Sequence, residues 1–240
     1  MNIMQFRGRN LRVCGLAALM LCGMWAASAS ARKGKLAPDL KEILSRMNDA
    51  AKRLKTVSAN LEYTKVTVLV NDKSIEEGRL YYHKSKNPEI MIEMDKPEAK
   101  FLLFKKDKGQ IYLPKINQIQ EYDLGQRGAL VQQFLLLGFG SETGELMKSY
   151  SVKFLREEEL EGDTTAVLEL VPRKESIAAQ LAKVEIWISE ESWLPVQQKF
   201  YEPGGDYLIA HYTSVKVNRK LPSSTFEIHP APGAKRLQMN

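Results

Sequence analysis

The residues that could do chemistry are few and scattered. Three histidines, His83, His211 and His229, stand alone, with no second donor at the spacing a metal site uses. Gly140-Ser-Glu-Thr-Gly144 lacks the G-x-S-x-G spacing of a nucleophile elbow. No Lys-Ser/Thr pair follows Gly138-Phe-Gly140, so those glycines do not form a phosphate loop. The acidic run Glu157-Glu158-Glu159 with Glu161 reads as a strand end and its turn on a solvated edge. This inventory predicts no catalytic residue, no metal, no cofactor and no enzyme.

What the chain offers instead is apolar surface on strands. Residues 78–123 hold five short runs separated by turn-formers: Leu80–His83, Glu89–Asp95, Phe101–Lys105, Gln110–Leu113 and Gln118–Tyr122. Their length, β-branched and aromatic content and regular breaks predict an antiparallel meander. Ile90, Ile92 and Met94 alternate with Met91, Glu93 and Asp95, which puts the first three on one face. Several runs are apolar at successive positions, among them Phe101–Phe104 and Ile186-Trp187-Ile188. A sheet with one packed face needs no such excess, so the second face must meet a helix or a ligand. A half-closed sheet under a helical cover can enclose an apolar cavity.

The elements that would position these faces follow in order. Arg7, Arg9 and Arg12, the apolar stretch Val13–Ala26 and the small residues Ala27–Ala31 read as a signal peptide cleaved after residue 31. The stretch is shorter than the ~20 residues that span a bilayer. Val13 before Cys14 and Leu21 before Cys22 are too large for a lipoprotein signal site. Cleavage would shorten 240 residues to 209, remove both cysteines, and lower the net charge from +6 to +3. A charge that small gives nucleic-acid binding no support. One domain, 32–240, is expected.

Pro38-Asp39 opens a predicted helix over 38–56, with Leu40, Ile43, Leu44, Met47, Ala50, Ala51 and Leu54 on one stripe. Val57–Val70 reads as a strand with Val66, Val68 and Val70 on one face. After the meander, 129–137 reads as a short, largely apolar helix ended by Gly138 and Gly140, either a core helix or a lid. Strands resume at Tyr150–Glu157, Thr164–Val171, Lys183–Ser189, Pro195–Tyr201 and Tyr207–Val217, and Phe226–Ile228 finishes the sheet. The fold class is mainly β (α+β): an incomplete antiparallel barrel or curved sheet of about eleven strands, with an N-terminal helix and a short helical lid.

This order of elements resembles the periplasmic outer-membrane lipoprotein carrier family, LolA-like. The resemblance covers nearly all of 38–237. It rests on the N-terminal helix, Gly78-Arg-Leu-Tyr, Asn87-Pro88, Lys96-Pro97, Gly109-Gln-Ile-Tyr112, the helix at 129–137, Trp187-Ile-Ser with Leu194-Pro195, and the Pro222, Phe226, Pro230, Gly233 ending. It implies a carrier that shelters acyl chains of lipoproteins, or of a related lipid, and shuttles them from inner to outer membrane. An inner-membrane donor complex, an outer-membrane acceptor and a monomeric state come with that reading. A non-transporting envelope lipid sensor of the same fold is the alternative. By the same resemblance Ile90, Ile92, Met94, Phe101, Leu103, Val184, Ile186 and Ile188 form the cavity wall. Leu130, Phe134 and Leu137, with Leu40, Leu44 and Met47, form the lid. One departure stands out: where the family has an Arg that latches the lid, this chain has Lys84, Lys86 and Asn87, and lysine cannot reproduce the guanidinium fork.

Overall fold

A 14-residue helix, α1 (Leu40–Arg53), opens the described chain. Asp39 caps it by accepting a hydrogen bond from the Glu42 backbone N–H at 2.7 Å, and Lys52 and Arg53 occupy its last turn, where cations suit the helix dipole. Ile43, Leu44, Met47, Ala50 and Ala51 are buried, the stripe expected from their spacing. The structure is a computed structural model and describes residues 39–125, 137–139 and 142–239. The leader, with its signal reading, and Leu130 and Phe134 of the 129–137 helix lie outside the described residues.

Twelve strands form one sheet. They are β1 (Thr56–Thr67), β2 (Asp72–His83), β3 (Glu89–Lys96), β4 (Lys100–Lys105), β5 (Lys108–Leu113), β6 (Gln118–Asp123), β7 (Tyr150–Leu160), β8 (Asp163–Pro172), β9 (Lys183–Ser189), β10 (Pro195–Tyr201), β11 (Tyr207–Val217) and β12 (Lys235–Met239). Their spatial order is β12-β6-β5-β4-β3-β2-β1-β11-β10-β9-β8-β7. Each pair is antiparallel except β12 on β6, which is parallel. The sheet is open and curved rather than a closed barrel. Two short helices, α2 (Thr143–Ser149) and α3 (Glu175–Ala178), interrupt the second half. β1 joins the halves, pairing with β2 on one side and β11 on the other.

The β1–β2 hairpin is the longest in the first half, running in register from Thr56 opposite His83 to Thr67 opposite Asp72. Its tip corrects the sequence reading. The strand ends at Thr67, and Val68–Val70 form a 3-10 turn closed by Asn71 at φ +50°. The Val68 N–H donates to Asp206 at 2.9 Å, which takes it out of any ladder. Leu69 is therefore 93% exposed at the tip instead of lying along a strand face.

Gly78 sits where the β2–β3 register shifts, between Glu77 and Gly78. A Cβ there would lie 2.0 Å from the Glu93 carbonyl oxygen, so only glycine permits this approach. The C-terminal segment also departs from expectation. Phe226–Ile228 is not a strand; a 3-10 turn, Ser223–Phe226, tucks Phe226 against Met91 and Leu103 on the outer face. β12 supplies the last strand, and it is exposed along its length.

Candidate functional site

The strand register builds a continuous apolar face. Leu80 lies opposite Ile92 and Tyr82 opposite Ile90, while Leu102 and Phe104 face Ile92 and Ile90 from β4. In the second half Leu168 lies opposite Ile186, and Leu170 and Phe200 flank Val184. Val57, Ala59, Leu61 and Ala210 bridge the halves, and all belong to one buried cluster with Ile43, Leu44, Met47 and Ala50 of α1. The helix is amphipathic because it lies on this face, and its apolar stripe closes over the sheet.

Most of the residues singled out from sequence meet here. Ile90, Ile92, Met94, Val184, Ile186 and Ile188 are in the cluster, as are Leu44, Met47 and Leu137, with Leu40 packed at its margin. Phe101 and Leu103 are not brought to this face. Leu103 pairs with Met91 and Phe101 with Glu93, so both point to the outer side, where they pack with Phe226, Leu221 and Ile228. The β4 residues that do reach the helix-covered face are Leu102 and Phe104. Antiparallel partners share a face and neighbours along a strand alternate, so the register alone makes this choice.

A second cover is the short segment Leu137-Gly138-Phe139. Leu137 and Phe139 are fully buried, and the Phe139 ring meets Tyr212 edge-on with centroids 5.0 Å apart. Gly138 has φ +83°, a conformation that leaves a side chain strained, with Pro195 and Ile186 close by. Gln198 holds the segment down: its Nε2 donates to the Leu137 carbonyl, while its Oε1 accepts from the Tyr212 hydroxyl at 2.8 Å. Gln198 is 1% exposed, so this relay runs through apolar surroundings. The sequence reading missed it. The one available signal was a glutamine two residues before Phe200, on the parity of the buried face. α2 packs beside α1 and contributes Leu146 to the same cluster.

The chemistry this face can perform is limited by what lines it. Its ionisable groups are phenols. Burial, helped by Tyr63, raises the Tyr212 pKa well above its ordinary value, and burial with Glu76 pushes Tyr63 to about 12. Tyr82 also rises to about 12 by burial. All three stay protonated at neutral pH, so none is a base. The face can exclude water and hold hydrocarbon. The histidines lie elsewhere: His83 is 3.1 Å from Glu89, His211 is 3.7 Å from Glu161, and His229 is exposed. Among the described residues no cluster of histidine, cysteine and acidic side chains could hold a metal.

A family model described as "Uncharacterized protein" matches residues 87–220, more than half of the chain. No curated protein matches. An uncharacterised conserved protein of Thermus thermophilus is similar in structure, with a TM-score of 0.55 at 14% identity over 83% of this chain and 98% of that one. MucB gives 0.52 at 12% identity, over 79% of this chain and 62% of MucB. A LolA superfamily protein of Nitrosomonas europaea gives 0.39 at 17% identity, over 80% and 99%. At these identities the likeness concerns the fold.

Proposed function

The chain belongs to the family whose model matches residues 87–220, and we propose that it is a LolA-like protein that holds the acyl chains of a lipoprotein or related lipid against its helix-covered face. One observation supports the reading above the others. Among the described residues the apolar face of a twelve-strand sheet is covered by α1, the short helix α2 and a three-residue segment tied down through Gln198. Such a cover can be exchanged for hydrocarbon without breaking a strand ladder. Lifting α1 would expose Ile90, Ile92, Met94, Val184, Ile186 and Ile188, and acyl chains would take the place of Ile43, Leu44 and Met47. Apolar burial is worth roughly 0.8 kcal/mol per methylene, so a chain of ordinary length can outweigh the contacts it displaces.

In this reading the leader directs the chain to the cell envelope, and residues 32–240 act there as one soluble domain. It moves cargo from an inner-membrane donor to an outer-membrane acceptor. Protein secreted by its own leader, gently purified and extracted with organic solvent, should yield lipid or acylated peptide by mass spectrometry. The empty protein should take up an apolar dye that the extracted lipid displaces. A clean extract together with no dye uptake would overturn the proposal. Stable recovery of one protein partner without lipid would favour a regulatory module instead.

A further inference from the structure

Charge is unevenly placed on this molecule. Where α1 ends, β1 begins and β11 finishes, a cavity of about 450 Å³ opens, lined by Lys55, Arg219 and Lys220 with Leu221 and Phe226 as its apolar floor. His83 and Glu89 complete the wall. Glu89 is the acidic group there, and it is already held by Lys105 at 2.9 Å and by His83 at 3.1 Å. Arg53 and Lys84 are tied to the lining through their backbones, the Arg53 carbonyl accepting from Asn218 and the Lys84 N–H donating to the Lys55 carbonyl at 2.7 Å.

Complementing the negative end of α1 would be the ordinary reason for cations here. Lys84 does that, donating to the Ala51 carbonyl at 2.8 Å. Lys55, Arg219 and Lys220 do not: among the described residues their side chains engage neither a helix carbonyl nor a carboxylate. The backbones of Lys55 and Arg219, by contrast, are fixed. The Asn218 side chain accepts from the Lys55 N–H at 2.7 Å and donates to the Arg53 carbonyl at 3.1 Å. The Thr56 hydroxyl donates to the Arg219 carbonyl at 2.6 Å. Two cations thus rise from anchored backbone, with Lys220 next to Arg219 in sequence, beside the apolar floor. That combination suits an amphiphile with a negative head.

We propose that this end of the molecule docks on an anionic phospholipid surface, with lipid phosphates between Lys55, Arg219 and Lys220 and the first part of the lipid over Leu221 and Phe226. An acidic peptide would match the cations but has no need of the floor. Docking of this kind does not depend on the helix-covered face holding cargo, and pure phospholipid is a sufficient ligand. The hairpin tip at Leu69 lies at the far end of a twelve-residue strand, about 35 Å away, so a molecule docked here points that tip away from the bilayer.

The test uses protein secreted and processed by the expressing cell, co-sedimented with phosphatidylcholine vesicles with and without phosphatidylglycerol. Binding should require phosphatidylglycerol and fall steeply with added salt. Each cation at an anionic membrane contributes about a five-fold factor, so Lys55→Gln, Arg219→Gln and Lys220→Gln together should weaken binding on the order of 100-fold. The hydrogen bonds to Lys55 and Arg219 use their backbones, so the triple variant should keep the parent's melting curve. A control with Lys65→Gln, Lys73→Gln and Lys115→Gln removes as much charge from the opposite end and should bind as the parent does. Equal losses in both variants, retained binding in the first, or binding independent of phosphatidylglycerol would each overturn the proposal. So would capture of a polyglutamate peptide with no vesicle binding, and free phosphate competing at low concentration would reassign the cavity to a soluble anion.

Discussion

Whether the segment at 137–139 is tied down by Gln198 can be measured through Tyr212. Three buried polar groups form the relay: the Leu137 carbonyl accepts from Gln198, and Gln198 accepts from the Tyr212 hydroxyl at 2.8 Å. Tyr212→Phe keeps the ring against Phe139 and removes the last donor. It leaves one buried acceptor without a partner, at a cost of about 1–3 kcal/mol. Gln198→Met keeps most of the volume and orphans two groups, the Leu137 carbonyl and the Tyr212 hydroxyl, so about 2–6 kcal/mol is expected from the same range taken twice. Combining the substitutions then gives an unusual sign. Once Gln198 is methionine, the tyrosine hydroxyl is a liability, and adding Tyr212→Phe should return about 1–3 kcal/mol.

Urea melts on the four proteins supply these numbers, provided the slopes agree. Hydrogen exchange adds a local readout: Gln198→Met should free the backbone at 137–139, whereas Tyr212→Phe should leave Gln198 bonded to Leu137 and the segment protected. The relay should persist across ordinary pH, because burial keeps the Tyr212 phenol protonated. Additive costs, with the double variant less stable than Gln198→Met alone, would refute the reasoning.

Ile92, fully buried between Leu80 and Leu102, should cost about 2–5 kcal/mol when cut to alanine and about 1–3 kcal/mol when enlarged to tryptophan, by urea melts of the unliganded protein. Gly78→Ala should lose about 3 kcal/mol or more, since its Cβ meets the Glu93 backbone at 2.0 Å; Gly144→Ala, with open space around it, is the control. Burial alone would raise the Glu89 pKa, but Lys105 and His83 outweigh it and hold it below the usual carboxylate range. A depressed carboxylate stabilises above its unfolded pKa of about 4.3 and loses that contribution as pH falls through the lower folded value. Glu89→Gln should therefore be less stable than the parent at neutral pH, with the gap closing below pH ~4.

The helix α1 and most of the meander were legible because their apolar residues keep a period, three to four in the helix and two in β3. Legibility failed where the period disappears. Phe101–Phe104 is apolar at each position, so no parity distinguishes Leu102 and Phe104, which face α1, from Phe101 and Leu103, which face Phe226. Only pairing with Ile90 and Ile92 decides it. The run Val68-Leu69-Val70 reads as strand for the opposite reason: its residues favour strands, and a turn residue at Asn71 with a distant acceptor, Asp206, overrides them. β12 carries no buried side chain, so it leaves no pattern to read. Gln198 follows another glutamine, and a polar residue on a buried parity gives no hint that its partner is a carbonyl 61 residues away.

The open form of the sheet follows from its edges. Closure into a barrel would require β7 to pair with β12, and each carries features that oppose it. β7 has a register break between Phe154 and Arg156, followed by Glu157, Glu158 and Glu159, so its outer ladder is both kinked and acidic. β12 is five residues long and begins Lys235-Arg236, with Arg236 already bound to Glu121 at 2.6 Å. Short, charged, irregular edges are how sheets avoid further pairing. Because the circle does not close, no hydrogen-bonded ladder fixes the distance between the first and last strands. What lies across the apolar face among the described residues is α1, α2 and the segment held by Gln198. Ladders hold the sheet, and a helix stripe with one amide holds the cover.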